Sequence, residues 1–457
     1  MDLGRRGAGI MSVGWRIPMV RALVACGIAV ALTHAAAADQ WPQFRGRTGG
    51  VAADHPRLPE TWTTTDNVIW KIDVPGMGWS SPIIWDDVIY LTSVVQPGAI
   101  TIPERGLYGG TGAGSVSKGI HRWMVYAIDL KTGRIRWERE IRSAAPTAVK
   151  HGKNTYASET PITDGERVYA YFADVGLFAL DKNGKPVWDV PMDPMTMRQW
   201  GTGASAALHD GRLIVVNDND QKSTMTSYDA KTGKVIWTVP RDETSNWSTP
   251  YIWEHSGGAE IITTGSRLVR AYDLNGKVKW QLGGLTSLHV PTPVSKSGLL
   301  FISSGFLGDA VRPVFAIRPG ASGDISLKGE ERQNAFIAWS NPRLGTYSTS
   351  PIVYGDYYYT LMDRGFLLCH DAKTGEEVYP RQRITSEASG FTASPWAYNG
   401  KIFAISEDGD TFVMQAGREF KLLHKNPLEE MVMATPAVAG DSLIVRTASR
   451  LYRISKK

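Results

Sequence analysis

The chain is 457 residues long, 42% hydrophobic and 21% charged, with 50 Lys and Arg against 45 Asp and Glu. That is the balance of an ordinary globular protein, and its +5 excess is scattered, without the basic stripe that nucleic acid selects. With 2 cysteines it is not a disulfide-built scaffold.

Residues 1–38 carry the marks of a secretory signal. Arg5, Arg6, Arg16 and Arg21 form a basic region, residues 22–32 an apolar run, and Ala36-Ala37-Ala38 a small-residue cleavage site. The mature chain would start at Asp39; initiation at Met11 would give a tidier leader. The apolar run is too short to be a permanent transmembrane anchor. Leu23-Val24-Ala25-Cys26-Gly27 resembles a lipid-attachment box, but Arg21 places Cys26 inside the apolar run rather than at its end. An unlipidated periplasmic or secreted protein is expected. Without residues 1–38 the formal charge falls to +2, and Cys369 is the remaining cysteine.

Residues 39–66 read as an N-terminal extension, and residues 67–457 as one repeat domain. The repeat has two markers. The first is a small residue followed by Pro, leading into a strand. It occurs at Ser81-Pro82, Thr160-Pro161, Thr249-Pro250, Thr292-Pro293, Ser350-Pro351, Ser394-Pro395 and Thr435-Pro436, with Ser205-Ala206 as a variant. Most copies are roughly 41 to 45 residues apart, the length of a four-stranded propeller blade. Two wider gaps hold insertions near residues 94–120 and 318–334. The glycine-rich stretch from Gly109 to Gly114 reads as the tip of the first insertion.

The second marker is an Asp-led turn ending in Gly, with an aromatic four residues on. Trp137, Trp188, Trp237 and Trp280 follow Gly133, Gly184, Gly233 and Gly276, and Tyr379 follows Gly375. Asp bonds its own backbone two residues on, and Gly accepts positive φ, so these are tight hairpins. Trp339 is the matching aromatic of its unit, and Phe420 is the best candidate in the weak seventh unit. The last unit ends at Lys457 without a closing strand. Trp70-Lys71-Ile72-Asp73-Val74-Pro75 resembles the missing piece, so the N-terminal strand is expected to close the ring. The fold class is therefore all-β: an eight-bladed β-propeller of four-stranded antiparallel blades. Its aromatics at Trp70, Trp137, Trp188, Trp237, Trp280, Trp339 and Tyr379 are expected to pack between blades. Such a closed ring is expected to be a monomer.

Chemistry is harder to place. No His-Glu-x-x-His, Cys-x-x-Cys or Gly-x-Ser-x-Gly occurs, so no metal ligand or catalytic residue is assigned. Asn217-Asp218-Asn219-Asp220 lacks the spaced ligands of a calcium loop and reads as a solvated turn. The loops after the second and fourth strands of a blade share one face. The segments entering the inner strands carry Trp79, Tyr156, Trp200, Trp247, His289, Tyr347, Phe391 and Met433 on that face, with Asn154, Glu159 and Asn246 nearby. This set would form an aromatic mouth on the central channel, or would plug a narrow one.

The repeat core Tyr228-Asp229-Ala230-Lys231-Thr232-Gly233-Lys234-Val235-Ile236-Trp237 resembles that of the PQQ-like β-propeller proteins of the bacterial envelope. So do Trp41-Pro42-Gln43-Phe44-Arg45-Gly46 and the segment from Asn154 to Pro161. The resemblance covers nearly all of residues 41–457. It implies either a non-catalytic partner-binding propeller of outer-membrane assembly or a dehydrogenase using pyrroloquinoline quinone with calcium. The paired cysteines of many such dehydrogenases are missing. The expected function is thus non-enzymatic binding of an envelope protein or small ligand, with no cofactor; the quinone-dependent alcohol or sugar dehydrogenase is the alternative.

Overall fold

The structure, a computed structural model, describes residues 40–106 and 114–457 together with Gly14. Contacts divide the chain into two units, Met1–Ala37 and Ala38–Lys457. The signal-like segment, Cys26 and the insertion tip from Gly109 to Ala113 lie outside the described residues. Among the described residues no helix is long and apolar enough to cross a membrane.

Eight antiparallel sheets form the second unit. Seven follow the chain from the channel outwards. They are blade 1 (residues 83–144), blade 2 (162–191), blade 3 (207–240), blade 4 (251–283), blade 5 (294–341), blade 6 (352–383) and blade 7 (396–427). Blade 8 takes its three inner strands from residues 437–454 and its outer strand from Val68–Asp73. Trp70 lies opposite Arg453 and Ile72 opposite Leu451, so the N-terminal strand closes the ring as expected. The second strands are continuous apolar runs because a neighbouring blade covers each face; all of Leu213–Val216 is buried. The outer strands alternate instead, as Val235–Pro240 does, because one side meets water.

The two markers turn out to be the two seams between blades. On the outside, each indole lies over the turn glycine of the next blade. A Cβ on Gly133, Gly184, Gly233 or Gly375 would stand 2.5–2.9 Å from the rings of Trp70, Trp137, Trp188 or Trp339. One on Gly276 would meet Val239 at 2.8 Å and the ring of Trp237 at 3.1 Å. The φ of these glycines is +73 to +83°, so both the backbone conformation and the ring above it require Gly. Each of these five indoles also donates Nε1–H to a carbonyl of the next blade's turn, at 2.9–3.1 Å. Full burial of such a ring removes about 150–250 Å² from water, roughly 4–6 kcal/mol as an upper bound; Trp339 is buried, whereas Trp70, Trp137, Trp188 and Trp237 are half-buried and gain less.

The pattern departs where the next turn is missing. Blade 5 has the 318–334 insertion in place of an Asp–Gly turn. Trp280 is therefore fully buried beneath it, beside Ala321 and Ile325, and donates to the carboxylate of Glu260 at 2.8 Å. Gly323–Asp324 from the insertion adds a short parallel strand on the outer edge of blade 4. Tyr379 packs edge-on to Phe420 at 6.1 Å. Phe420 precedes the outer strand of blade 7, however, and His424 holds the Trp place, opposite Val413. Blade 8 has no covalent outer turn. Residues 55–67 fill that position: Asn426 bonds the Trp62 amide and the Glu60 carbonyl, and Lys456 N–H donates to Arg57.

The start of the extension crosses the channel. Trp41 pairs with Ile84 of blade 1, Pro42 accepts from Thr163 of blade 2, and Gly50 pairs with Ala397 of blade 7. Between them Arg45 is buried and donates to Pro351 O of blade 6 at 2.7 Å. Burial lowers its pKa to about 10.

Deleting residues 39–75 removes both the crossing segment and the outer strand of blade 8 and should abolish the cooperative thermal transition; a truncated protein melting near the full-length temperature would contradict this. Trp237→Ala should destabilise the fold, by less than the roughly 3–5 kcal/mol of a fully buried Trp because this ring is half-buried, read by denaturant unfolding.

Candidate functional site

The inner seam builds the site. One hydroxyl residue per blade faces the channel: Ser81, Thr160, Ser205, Thr249, Thr292, Ser350, Ser394 and Thr435. These are the lead-in residues before each strand. The backbone N–H of Ser81 donates to Thr160 Oγ1, that of Thr160 to Ser205 Oγ, and that of Ser205 to Thr249 Oγ1, at 2.9–3.0 Å. Thr292, Ser350 and Ser394 continue the chain to Ser350, Ser394 and Thr435, again at 2.9–3.0 Å. The Pro that follows seven of the eight lead-in residues (Ala206 follows Ser205) lacks an N–H and sits on the innermost edge, where it discourages pairing with another strand.

Above this ring the channel opens into a cup of about 440 Å³. Trp79, Trp200, Trp247, Phe306, Tyr347 and Met433 line it, and Phe44 of the crossing segment forms its floor. Phe44 also lines a cavity of about 650 Å³ on the far side, so the segment separates the two. The walls are held by the loops that carry them. Trp79 Nε1 donates to Lys153 O and Trp247 Nε1 to Gly201 O, both at 2.7 Å. Trp200 stacks on Trp247 with centroids 5.6 Å apart and planes 27° apart. Phe306 lies 5.3 Å from Tyr347, whose phenol burial pushes up to about 12.

The formally charged side chains of the lining are Lys153 and Glu407, with His151 as a further titratable group. Lys153 Nζ bonds both carboxylate oxygens of Glu407 at 2.8 Å and Gly106 O at 2.7 Å. Glu407 also accepts from Gly106 N and Thr392 Oγ1. The pair thus joins blade 7 to the segment entering blade 2, and it clasps Gly106 of the first insertion. Arg105 reaches Asp408 at 3.7 Å beside it. Its charges cancel within the cup wall.

Trp79, Asn154, Trp200, Trp247 and Tyr347 meet at the cup. Asn154 is fully engaged: its amide donates to Trp200 O and Thr202 O, and its oxygen accepts from Thr155 N and Ser158 Oγ. Tyr156 lies in the core between blades 1 and 2, edge-on to His121. Phe391 lies in the core of blades 6 and 7. His289 is buried against Pro291 O, and burial lowers its pKa to about 4, so it is neutral. Asn246 donates to Asp218, which makes a buried bidentate pair with Arg241 at 2.7 and 2.8 Å. The turn at Asn217–Asp220 is thus not wholly solvated: Asp218 and Asn219 are buried. Among the described residues no group of three or more His, Cys, Asp or Glu side chains is placed to hold a metal.

Glu159 is buried beneath the cup and accepts from Thr202 Oγ1. Burial raises its pKa to about 7 despite that bond, and the nearby Asp174, itself raised to about 6 by burial, adds to the rise. Phe44, Lys153, Phe306, Glu407 and the hydroxyl ring escape the sequence reading. The ring left a signal, Ser or Thr before every strand, which reads there merely as a small residue. Glu407 left none, since its partners are far away in the chain.

The fold and the cup define the class, an eight-bladed propeller with an aromatic channel mouth. The chain matches the family described as outer membrane protein assembly factor BamB over residues 15–189, 173–309 and 322–457, and belongs to that family. BamB from Moraxella catarrhalis is 12% identical, with a TM-score of 0.56 over 85% of this chain and 99% of that one. A europium-containing methanol dehydrogenase is 10% identical, with a TM-score of 0.60 over 91% and 98%. The quinohemoprotein alcohol dehydrogenase of Comamonas testosteroni is 13% identical, with a TM-score of 0.58 over 91% and 80%. At these identities the likeness is one of fold. No curated protein sequence matches the chain significantly.

A pH prediction follows from Glu159. Its folded pKa lies above the unfolded value, so the fold holds the proton more tightly. Stability is full below the unfolded pKa, about 4.3, and is lost as pH rises through about 7. Glu159→Gln should therefore raise the melting temperature at pH 8 and much less at pH 5, removing up to about 3 kcal/mol of penalty. Equal shifts at both pH values would contradict it.

Proposed function

We propose that this protein is an exported, non-enzymatic propeller that binds a partner or small ligand in the cup at its channel mouth. The observation that carries this is the cup itself: concave, closed below by Phe44, walled by aromatics fixed in place. Such a site loses little entropy on binding because its walls are already ordered. Export rests on residues 1–38 and agrees with a family named for outer-membrane assembly.

The quinone-dependent reading rests on the fold shared with the two dehydrogenases. Pyrroloquinoline quinone is a polycarboxylate, and the lysine lining the cup is already engaged by Glu407 and Gly106. Among the described residues the oxygen donors a calcium ion needs are not gathered there: Glu407 is the one carboxylate in the described lining. The donor set does not fit the cofactor, and no catalytic step is derived through it.

Trp79 and Tyr347 are 8% exposed, so alanine there would also cost stability. Trp200 and Trp247 are more exposed and serve better as probes. A photocrosslinking residue in place of Trp200 or Trp247 should trap the bound species in envelope extracts, whereas one in place of Ile236 on the outer rim should not. Equal trapping at all three positions would overturn the assignment of the mouth. So would stoichiometric binding of the quinone with calcium accompanied by alcohol-dependent dye reduction, which would establish the enzymatic reading instead.

A further inference from the structure

We infer that the cup takes the end of an uncharged oligosaccharide, stacked on the Trp200–Trp247 wall with its tip at the hydroxyl ring. The inference deepens the binding reading above and depends on it. Three observations carry it.

The first is charge. Lys153 and Glu407 neutralise each other, and their bonds to Gly106 and Thr392 use their remaining capacity. Among the described lining residues, where His151 is a further titratable group, an anionic or cationic ligand would lose its hydration and find no formal charge that is not already neutralised, which is costly.

The second is closure. Phe44 stands across the channel on a segment tied to blades 1, 2, 6 and 7. The cup can therefore receive a chain end and cannot thread a chain middle. A peptide end brings an ammonium or a carboxylate, which the first observation disfavours. A neutral glycan end brings hydroxyls alone.

The third is the match of surfaces. The Nε1–H of Trp247 is spent on a loop carbonyl, so this half-buried ring offers its surface rather than its N–H. An aromatic face carries the negative side of its quadrupole and attracts the polarised C–H groups of a pyranose ring. Below, the ring of lead-in hydroxyls presents one Ser or Thr from every blade. In each pair given above the oxygen accepts a neighbour's N–H, which leaves its O–H free to donate and a lone pair free to accept. A purely apolar chain end would leave those groups unmatched. A polyol end would satisfy them.

The test is a calorimetric and tryptophan-fluorescence titration of the mature protein with maltohexaose, cellohexaose and chitohexaose, with oligogalacturonate as the acidic counterpart. One or more of the neutral sugars should bind with one site per chain and change the fluorescence, while oligogalacturonate should not bind. Trp247→Ala and Trp200→Ala should each weaken the neutral sugar by about tenfold or more. Thr249→Val, which keeps the shape and removes the hydroxyl, should weaken it as well. Melting curves establish that each variant is folded, and a variant that fails to fold is replaced by the other two. Absence of binding by all three neutral sugars, equal binding of the acidic one, or affinity unchanged in the folded variants would overturn the inference. If crosslinking at positions 200 and 247 still traps a protein while no sugar binds, the sugar inference fails and the binding reading stands. If neither occurs, both fail.

Discussion

The packing of one blade's indole over the next blade's turn glycine is the contact on which the ring depends. It combines a close approach that admits no Cβ, a positive φ and a hydrogen bond from Nε1. No blade could bury both faces of its sheet alone, and each repeat covers its neighbour. Since every blade needs the same contact on both sides, the Asp–Gly turn and the aromatic recur together. Where a turn is lost, the chain supplies a substitute. The 318–334 insertion covers Trp280 of blade 4, and residues 55–67 stand in for the outer turn of blade 8.

The inner seam does for the channel what the indoles do for the rim. Linking six of the lead-in N–H groups to the next blade's hydroxyl satisfies donors that the curvature of the ring would otherwise leave unpaired. The same geometry turns eight hydroxyls towards one axis. The site is therefore partly a by-product of closure. The rest of it is added by the loops: the stacked Trp pair, the neutralised Lys153–Glu407 clasp and the Phe44 floor. The assembly factor, the methanol dehydrogenase and the quinohemoprotein alcohol dehydrogenase are similar to it in fold, and one fold can host different uses because function resides in such loop additions.

Several ionisable groups lie buried around the cup, and their partners differ in kind. Asp218 and Arg241 form a bidentate pair that also takes in Asn246, Thr263 and Tyr272. That network is satisfied, and it fixes the loop of blade 3 against the segment entering blade 4. Glu159 is met by the Thr202 hydroxyl and by the backbone N–H groups of Glu159 and Ala173, with no cation among the causes that set its pKa, so burial drives that pKa up. Its protonation bears on the Thr202 loop next to Trp200, which places a group titrating near neutrality beside the aromatic wall of the cup.

The sequence alone determined the repeat, the number of blades, the closing role of Trp70-Lys71-Ile72 and the packing role of most outer-strand aromatics. All of these rest on local rules: turn chemistry, strand patterning and a fixed period between identical contacts. It also pointed to Trp79, Trp200, Trp247 and Tyr347 at the mouth, because the lead-in to an inner strand must face the channel. Which neighbouring residues turn inwards to the core was settled by tertiary packing. Tyr156 and Phe391 fill spaces between blades, and Asn246 and His289 are spent on buried partners. The pairing of Lys153 with Glu407, 254 residues apart, and the passage of Phe44 across the channel arise only when the ring is closed. Neither carries a periodic signal, because each occurs once and joins segments that are neighbours in space alone.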